Sequence, residues 1–164
     1  MFDNYIQQYG KRLYGLCLSL CGNPFDANDL YQETWLRAYQ NISKYDPTLD
    51  FEPWITKICV NIYKNQLRRL ARSPLIEFST NEEKDRVMNS LAEPQEKDYT
   101  PLYEAIDNLP EKFRIVIILF YFRDMDIIST SYILKIPIGT VKSRLNKARK
   151  LLKEALKDEA DLQF

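Results

Sequence analysis

The run Ile136-Pro137-Ile138-Gly139-Thr140-Val141-Lys142-Ser143-Arg144-Leu145-Asn146-Lys147-Ala148-Arg149-Lys150-Leu151-Leu152-Lys153 encodes a helix with two unlike faces. Pro137 stops whatever precedes it, and Gly139-Thr140 opens a new helix. Val141, Leu145, Ala148, Leu152 and Ala155 then recur at alternating four- and three-residue steps, which makes one apolar stripe. The opposite face carries Lys142, Ser143, Asn146, Lys147, Arg149, Lys150 and Lys153. Cations, a hydroxyl and an amide on one face suit phosphates and base edges. A basic amphipathic helix by itself is commonly only a solvated surface helix, so what precedes it decides its meaning.

Ahead of it, Ile127-Ile128-Ser129-Thr130-Ser131-Tyr132-Ile133-Leu134 is long enough for two helical turns, and Lys135-Ile136-Pro137-Ile138 is a tight connection. Helix, short turn and basic helix spell a helix-turn-helix. The wording Ile-Pro-Ile-Gly-Thr-Val-Lys-Ser-Arg-Leu, with Ala148-Arg149 beyond it, resembles region 4 of bacterial sigma factors of the extracytoplasmic-function class. Output domains of response regulators use similar wording. The sigma resemblance implies that Thr140, Lys142, Ser143, Arg144, Asn146 and Lys147 meet the minus-35 promoter element. It is not uniform: Ser129, Thr130, Ser131 and Lys135 stand where the family has an acidic-Ile-Ala pattern and a turn glycine. Lys135 must therefore take a turn conformation that glycine adopts more easily. Phe120 stands where the family often has a basic residue, which removes one DNA contact.

The chain of 164 residues holds 23 Lys and Arg against 23 Asp and Glu, so only the distribution of charge is informative. From Lys57 to Arg72 the basic residues Lys57, Lys64, Arg68, Arg69 and Arg72 meet no acid, and Lys135 to Lys157 is basic but for Glu154. Glu77 to Glu104, between them, is acidic. Two positive patches joined by a negative connector suggest two separate nucleic-acid contacts. Cys17, Cys21 and Cys59 are odd in number and sit in apolar contexts, which fits a reducing compartment. Without a single His or a second Cys pair they read as core thiols, not as a metal site. No run approaches the ~20 apolar residues of a membrane span, and no secretory signal is evident, so a cytoplasmic protein without stable membrane insertion is expected.

Along the chain, apolar residues from Phe2 to Leu20 mark a first helix, stopped by Cys21-Gly22-Asn23-Pro24. A second helix runs from Ala27, preceded by Asp26, through Asn41. Ala27, Leu30, Tyr31, Thr34, Trp35 and Ala38 form one side of it, and Asp29, Gln32, Glu33 and Arg37 the other. A turn-rich loop, Tyr45 to Asp50, leads into a third helix from Phe51 to about Arg72, with Pro53 in its first turn. Beyond Ser73-Pro74 periodicity fades into a charged, flexible linker. A helix from Pro101 follows, then a nearly continuous apolar run, Phe113 to Phe120, read as the buried centre of a second domain.

Asp29-Leu30-Tyr31-Gln32-Glu33-Thr34-Trp35 resembles the polymerase-binding segment of sigma region 2. The resemblance implies that Asp29, Leu30, Gln32 and Glu33 meet the core enzyme, the polar three through hydrogen bonds and Leu30 through apolar contact. Phe51-Glu52-Pro53-Trp54 through Asn61, ending in Leu67-Arg68-Arg69, resembles the promoter-melting part of the same region. There Tyr45 would stack on an unpaired base, Asn61 would read its edge, and Lys57, Lys64, Arg68 and Arg69 would hold the backbone at the minus-10 element. Trp54, Ile58 and Ile62, four apart, give Trp54 a structural part that frames the loop.

The expected fold class is all-α: a domain over 1–72, a linker over 73–100 and a helix-turn-helix domain over 101–164. The expected function is that of an alternative sigma factor working with RNA polymerase core enzyme and promoter DNA, without cofactor, metal or covalent chemistry. No His is present for base catalysis and no glycine-rich phosphate loop appears. The class implies an inhibitory anti-sigma partner. A sigma-like decoy, binding polymerase or an inhibitor without initiating, stays open as the alternative.

Overall fold

A computed structural model describes residues 1–72 and 100–157, and the linker expected over 73–100 lies, apart from Thr100, outside these described residues. The chain divides into two compact units, with the first three helices in one and most of the remaining helices in the other. Among the described residues every regular element is helical, as the all-α expectation requires.

In the first unit α1 spans Phe2–Cys21, α2 spans Pro24–Gln40, a 3₁₀ turn spans Ile42–Lys44 and α3 spans Phe51–Arg72. Helix α1 ends on Gly22, whose φ of 77° a residue without Cβ adopts at no steric cost. Helix α2 begins three residues earlier than expected. Asn23 caps it by accepting from the Asp26 amide at 2.9 Å, and Pro24 occupies the first turn, where its missing N–H costs nothing. The run Gly22-Asn23-Pro24 thus stops one helix and starts the next. Helix α2 packs on both α1 and α3. Gly10 of α1 allows a close approach, since a Cβ there would stand 3.0 Å from the Tyr31 hydroxyl.

Leu13, Leu16, Cys17 and Leu20 of α1, Ala27, Leu30, Trp35 and Ala38 of α2, and Phe51, Ile55, Cys59 and Ile62 of α3 fill the core. The buried face of α3 is therefore Ile55-Cys59-Ile62, with Trp54 and Ile58 only half buried at its edge. Cys17 and Cys59 are buried with their sulfurs 3.7 Å apart. The hydrogen bond to Cys59 and burial both raise the pKa of Cys17, holding it as a neutral thiol. All three cysteines are unbridged, and no group of metal-ligating side chains forms among the described residues.

In the second unit α4 spans Thr100–Asp107, α5 spans Glu111–Ile117 and continues as a π turn over Ile118–Phe122, α6 spans Ile127–Leu134 and α7 spans Ile138–Ala155. Helix α5 packs along α7, and α4 touches both. Ile115 through Leu119 are buried, as the apolar run predicts, and they meet the stripe Val141, Leu145, Ala148 and Leu152 in one core. The stripe ends on Leu156, not Ala155: the helix closes at Ala155, and the next residue turns inward while Ala155 faces solvent. Arg114 lies buried inside the apolar run, 3.7 Å from Asp107 and 3.3 Å from Glu111. Both acids keep access to water, so its charge is balanced at the edge of the core.

The π turn carries an extra residue per turn, visible as the Arg123 amide donating to the Ile118 carbonyl at 3.1 Å. It ends the buried run after Leu119, leaving Phe120 half buried and Tyr121 exposed. Asp126 then caps α6 by accepting from the Ser129 amide at 2.6 Å. That bond holds the Asp126 carboxyl below the usual carboxylate range.

Candidate functional site

The first helix of the helix-turn-helix has the bounds its sequence predicts, and the second begins one residue before Gly139, at Ile138, capped by Pro137. Lys135 caps α6 in the left-handed region, φ 56° and ψ 44°, where the family pattern has glycine. The Ser131 hydroxyl donates to the Ile136 carbonyl at 2.5 Å across the turn. A side-chain bond worth about 0.5–1.5 kcal/mol is of the order needed to offset a left-handed non-glycine residue, about 1–2 kcal/mol.

On α7, Lys142, Ser143, Asn146 and Lys147 are all exposed on the face opposite the stripe, while Thr140 and Arg144 are half buried at its flanks. The Ser143 hydroxyl donates to the Thr140 carbonyl at 3.0 Å, so its oxygen faces outward as an acceptor. Arg149, already on this face by sequence, brings Tyr121 to it. Arg149 donates from Nη1 to Oδ1 of Asn146 at 3.0 Å and from Nε to the Tyr121 hydroxyl at 2.7 Å. Its guanidinium carbon also lies 5.7 Å from the Tyr121 ring centroid. The spacing of Asn146 and Arg149 is legible in sequence, but Tyr121 is 28 positions away and is delivered by a π turn.

In the first unit, Asp29 and Gln32 are exposed on α2 and Glu33 is partly so, bonded to Arg37 at 2.9 Å. An exposed pair of this kind is worth a few tenths of a kcal/mol and yields readily to a partner. Leu30, expected to offer apolar contact, is 0% exposed. It belongs to the stripe that holds α2 on α1 and α3, and no partner side chain can reach it. The apolar side chains that α2 does expose are Phe25 at 87%, Leu36 at 57% and Tyr39 at 62%. Phe25 and Leu36 are placed four residues before Asp29 and four after Gln32, on the polar face itself. That i, i+4 continuation is the signal by which sequence reading finds them.

Tyr45 is half buried in a cluster of rings. Its ring stands edge-on to Tyr5 at 6.1 Å and to Phe51 at 5.3 Å, and tilts against Trp54 at 5.1 Å. Its hydroxyl donates to the Leu49 carbonyl. Burial, then the nearby Tyr5, Tyr9, Asp50 and Asp46, raise its pKa, which keeps that donor proton in place. Asp46 closes the loop by accepting from the Thr48 amide at 2.9 Å and hydroxyl at 2.7 Å. Trp54 frames the loop as expected. Asn61, Lys57 and Lys64 are half buried along α3, and Arg68 and Arg69 are exposed toward its end.

Residues 5–73 match the family model described as Sigma-70 region 2, and residues 99–152 match Sigma-70, region 4. The ECF RNA polymerase sigma factor SigW of Bacillus subtilis is 29% identical, over 96% of this chain and 89% of its own. The RNA polymerase sigma factor HrpL of Pseudomonas syringae pv. syringae is 30% identical, over 82% of this chain and 75% of its own. Among solved structures, the sigma factor RpoE of Bartonella quintana, in complex with the anti-sigma factor NepR, superposes with a TM-score of 0.74 over 95% of this chain and 96% of that one, at 22% identity. Two sigma regions in the family's order, matched along most of the length of relatives that share it, leave one conclusion: the chain belongs to the extracytoplasmic-function sigma factors of RNA polymerase, which direct promoter-specific initiation of transcription.

Proposed function

We propose that the two units divide the labour of initiation, with the unit up to residue 72 docking on core enzyme and opening the minus-10 element and the unit from residue 101 reading the minus-35 element. The observation that carries this is the pairing of faces: α2 and α7 each bury one apolar stripe and expose, opposite it, a face of matching chemistry. Asp29, Gln32 and Glu33 line the exposed side of α2, flanked by Phe25 and Leu36. Acidic and amide groups with apolar flanks suit a basic, partly apolar partner surface. Lys142, Ser143, Asn146 and Lys147 line that of α7.

Working in the cytoplasm, the protein does no covalent chemistry of its own. An anti-sigma factor belongs to the proposal as an inhibitory partner, supported by the family resemblance and by the RpoE fold that NepR binds. Initiation is favoured over the decoy by the presence of both regions in order.

Transcription from the operon's own upstream DNA by purified core enzyme plus this chain tests the whole reading, and absence of a specific transcript would overturn it. For docking, an Asp29, Gln32 and Glu33 triple alanine variant is expected to lose co-purification with core enzyme while keeping its helical circular dichroism. Unchanged co-purification would remove these residues from the interface. For α7, each of Lys142→Ala and Lys147→Ala is expected to lower the slope of log affinity against log salt by about one. Ser143→Ala is instead expected to relax preference at one base position, by about 1–3 kcal/mol, and leave the slope alone. Unchanged binding and unchanged sequence preference in all three variants would rule α7 out as the reader, while unchanged salt slopes alone would only remove the two lysines from the phosphates.

A further inference from the structure

Resting on the reading of α7 as the minus-35 reader, we propose that Tyr121 and Arg149 determine which base Asn146 selects. An asparagine carries an acceptor oxygen and a donor NH₂, and needs both to pair with adenine, which offers an acceptor at N7 and a donor at N6. Here Oδ1 of Asn146 is engaged by Arg149 at 3.0 Å, and Arg149 is itself tethered by the Tyr121 hydroxyl at 2.7 Å. One of the two lone pairs of Oδ1 is thereby filled and the oxygen is tied toward Arg149, which leaves the NH₂ as the group of Asn146 that no neighbour holds. A donor matches the acceptor edges of guanine, O6 and N7, or of thymine, O4, and finds no complete partner on adenine. Cytosine offers only its N4 donor and is rejected too.

Geometry makes this a positioning device and not a chance contact. Arg149 is three residues beyond Asn146, the spacing that brings side chains together on one helical face. Left alone it would sample many rotamers, but the Nε bond and the ring 5.7 Å from its guanidinium fix it from the other side. Tyr121 is available for this because the π turn ends the buried run and leaves its side chain exposed. Tyr121 and Arg149 act through Asn146. Neither is assigned a base of its own.

The test uses holoenzyme reconstituted from core enzyme and the full chain, with a promoter library randomised across the minus-35 element and sequencing of the retained DNA. Wild type is expected to favour guanine or thymine at one position, and Asn146→Ala to lose preference there only. Arg149→Ala is expected to shift that same position toward adenine by about tenfold, within the range a base-edge pair discriminates. Tyr121→Phe, which keeps the ring and removes only the hydroxyl, is expected to shift it in the same direction by less. Both side chains reach the surface, and Arg149→Ala alone suffices should Tyr121→Phe melt early. If wild type favours adenine at the Asn146 position, or if Arg149→Ala weakens binding evenly without changing preference, the proposal is overturned while α7 remains the reader. If Asn146→Ala changes preference at no position, the reading of Asn146 on which the proposal stands fails with it.

Discussion

Asn61→Ala and Tyr45→Ala are each expected to leave holoenzyme assembly and closed-complex binding intact and to lower open-complex formation about tenfold or more. Unstacking a base costs a few kcal/mol, and capture on an aromatic ring returns roughly 1–3 kcal/mol, with edge hydrogen bonds in addition. Losing either part of the capture leaves the unpairing cost uncompensated, and 1.4 kcal/mol is already a factor of ten. The hydroxyl of Tyr45 bonds to the Leu49 carbonyl, so Tyr45→Phe separates stacking from loop anchoring and is expected to retain melting. A template with a pre-melted bubble across the minus-10 element should return part of the lost activity. Permanganate reactivity of promoter thymines decides it: normal reactivity with both alanines present would move strand opening elsewhere.

Phe51→Ala is expected to cost the first unit about 3–5 kcal/mol, the usual toll for deleting a buried aromatic side chain. Phe51 is stacked on Tyr5 at 4.2 Å and 9° between planes, and touches Tyr9, Trp35, Tyr45 and Trp54 at 5.1 to 6.1 Å. It joins α1, α2, the loop and α3 at one point, so its removal opens a cavity that no single element can close. Domains of this size are stable by only about 5–15 kcal/mol. Both tryptophans of the chain, Trp35 and Trp54, pack against it. Their fluorescence during urea unfolding therefore reports this unit specifically. A change below about 1 kcal/mol would mean that the rings decorate the core without holding it.

Helical periodicity makes most of this architecture legible in the sequence. The bounds of α3 and α6 follow from Phe51-Glu52-Pro53, Ile127 and Lys135, where a capping or breaking residue adjoins a clear stripe. Legibility ended where one residue satisfied two patterns. Leu30 fits both the apolar stripe of α2 and the polymerase-binding resemblance, and full burial assigns it to the stripe. Asn23 and Asp26 are both good caps, and Pro24 at the first helical position decides between them. On α3, Trp54-Ile58-Ile62 and Ile55-Cys59-Ile62 are both helical stripes, and only packing against α2 chooses the second. The contact of Tyr121 with Arg149 has no sequence signal, because it depends on a π turn that local propensity does not encode.

The turn of the helix-turn-helix constrains how this chain can change over generations. Lys135 holds a left-handed conformation and the Ser131 hydroxyl ties the same turn to the Ile136 carbonyl. The two positions are consequently expected to be coupled, so that Ser131→Ala costs less stability beside Lys135→Gly than alone. With glycine at 135 the turn is expected to depend no longer on the serine, and a small apolar residue at 131 then to be tolerated. In the reverse order the intermediate bears an uncompensated left-handed lysine. One dihedral angle thus sets the order in which substitutions at these two sites are expected to be tolerated.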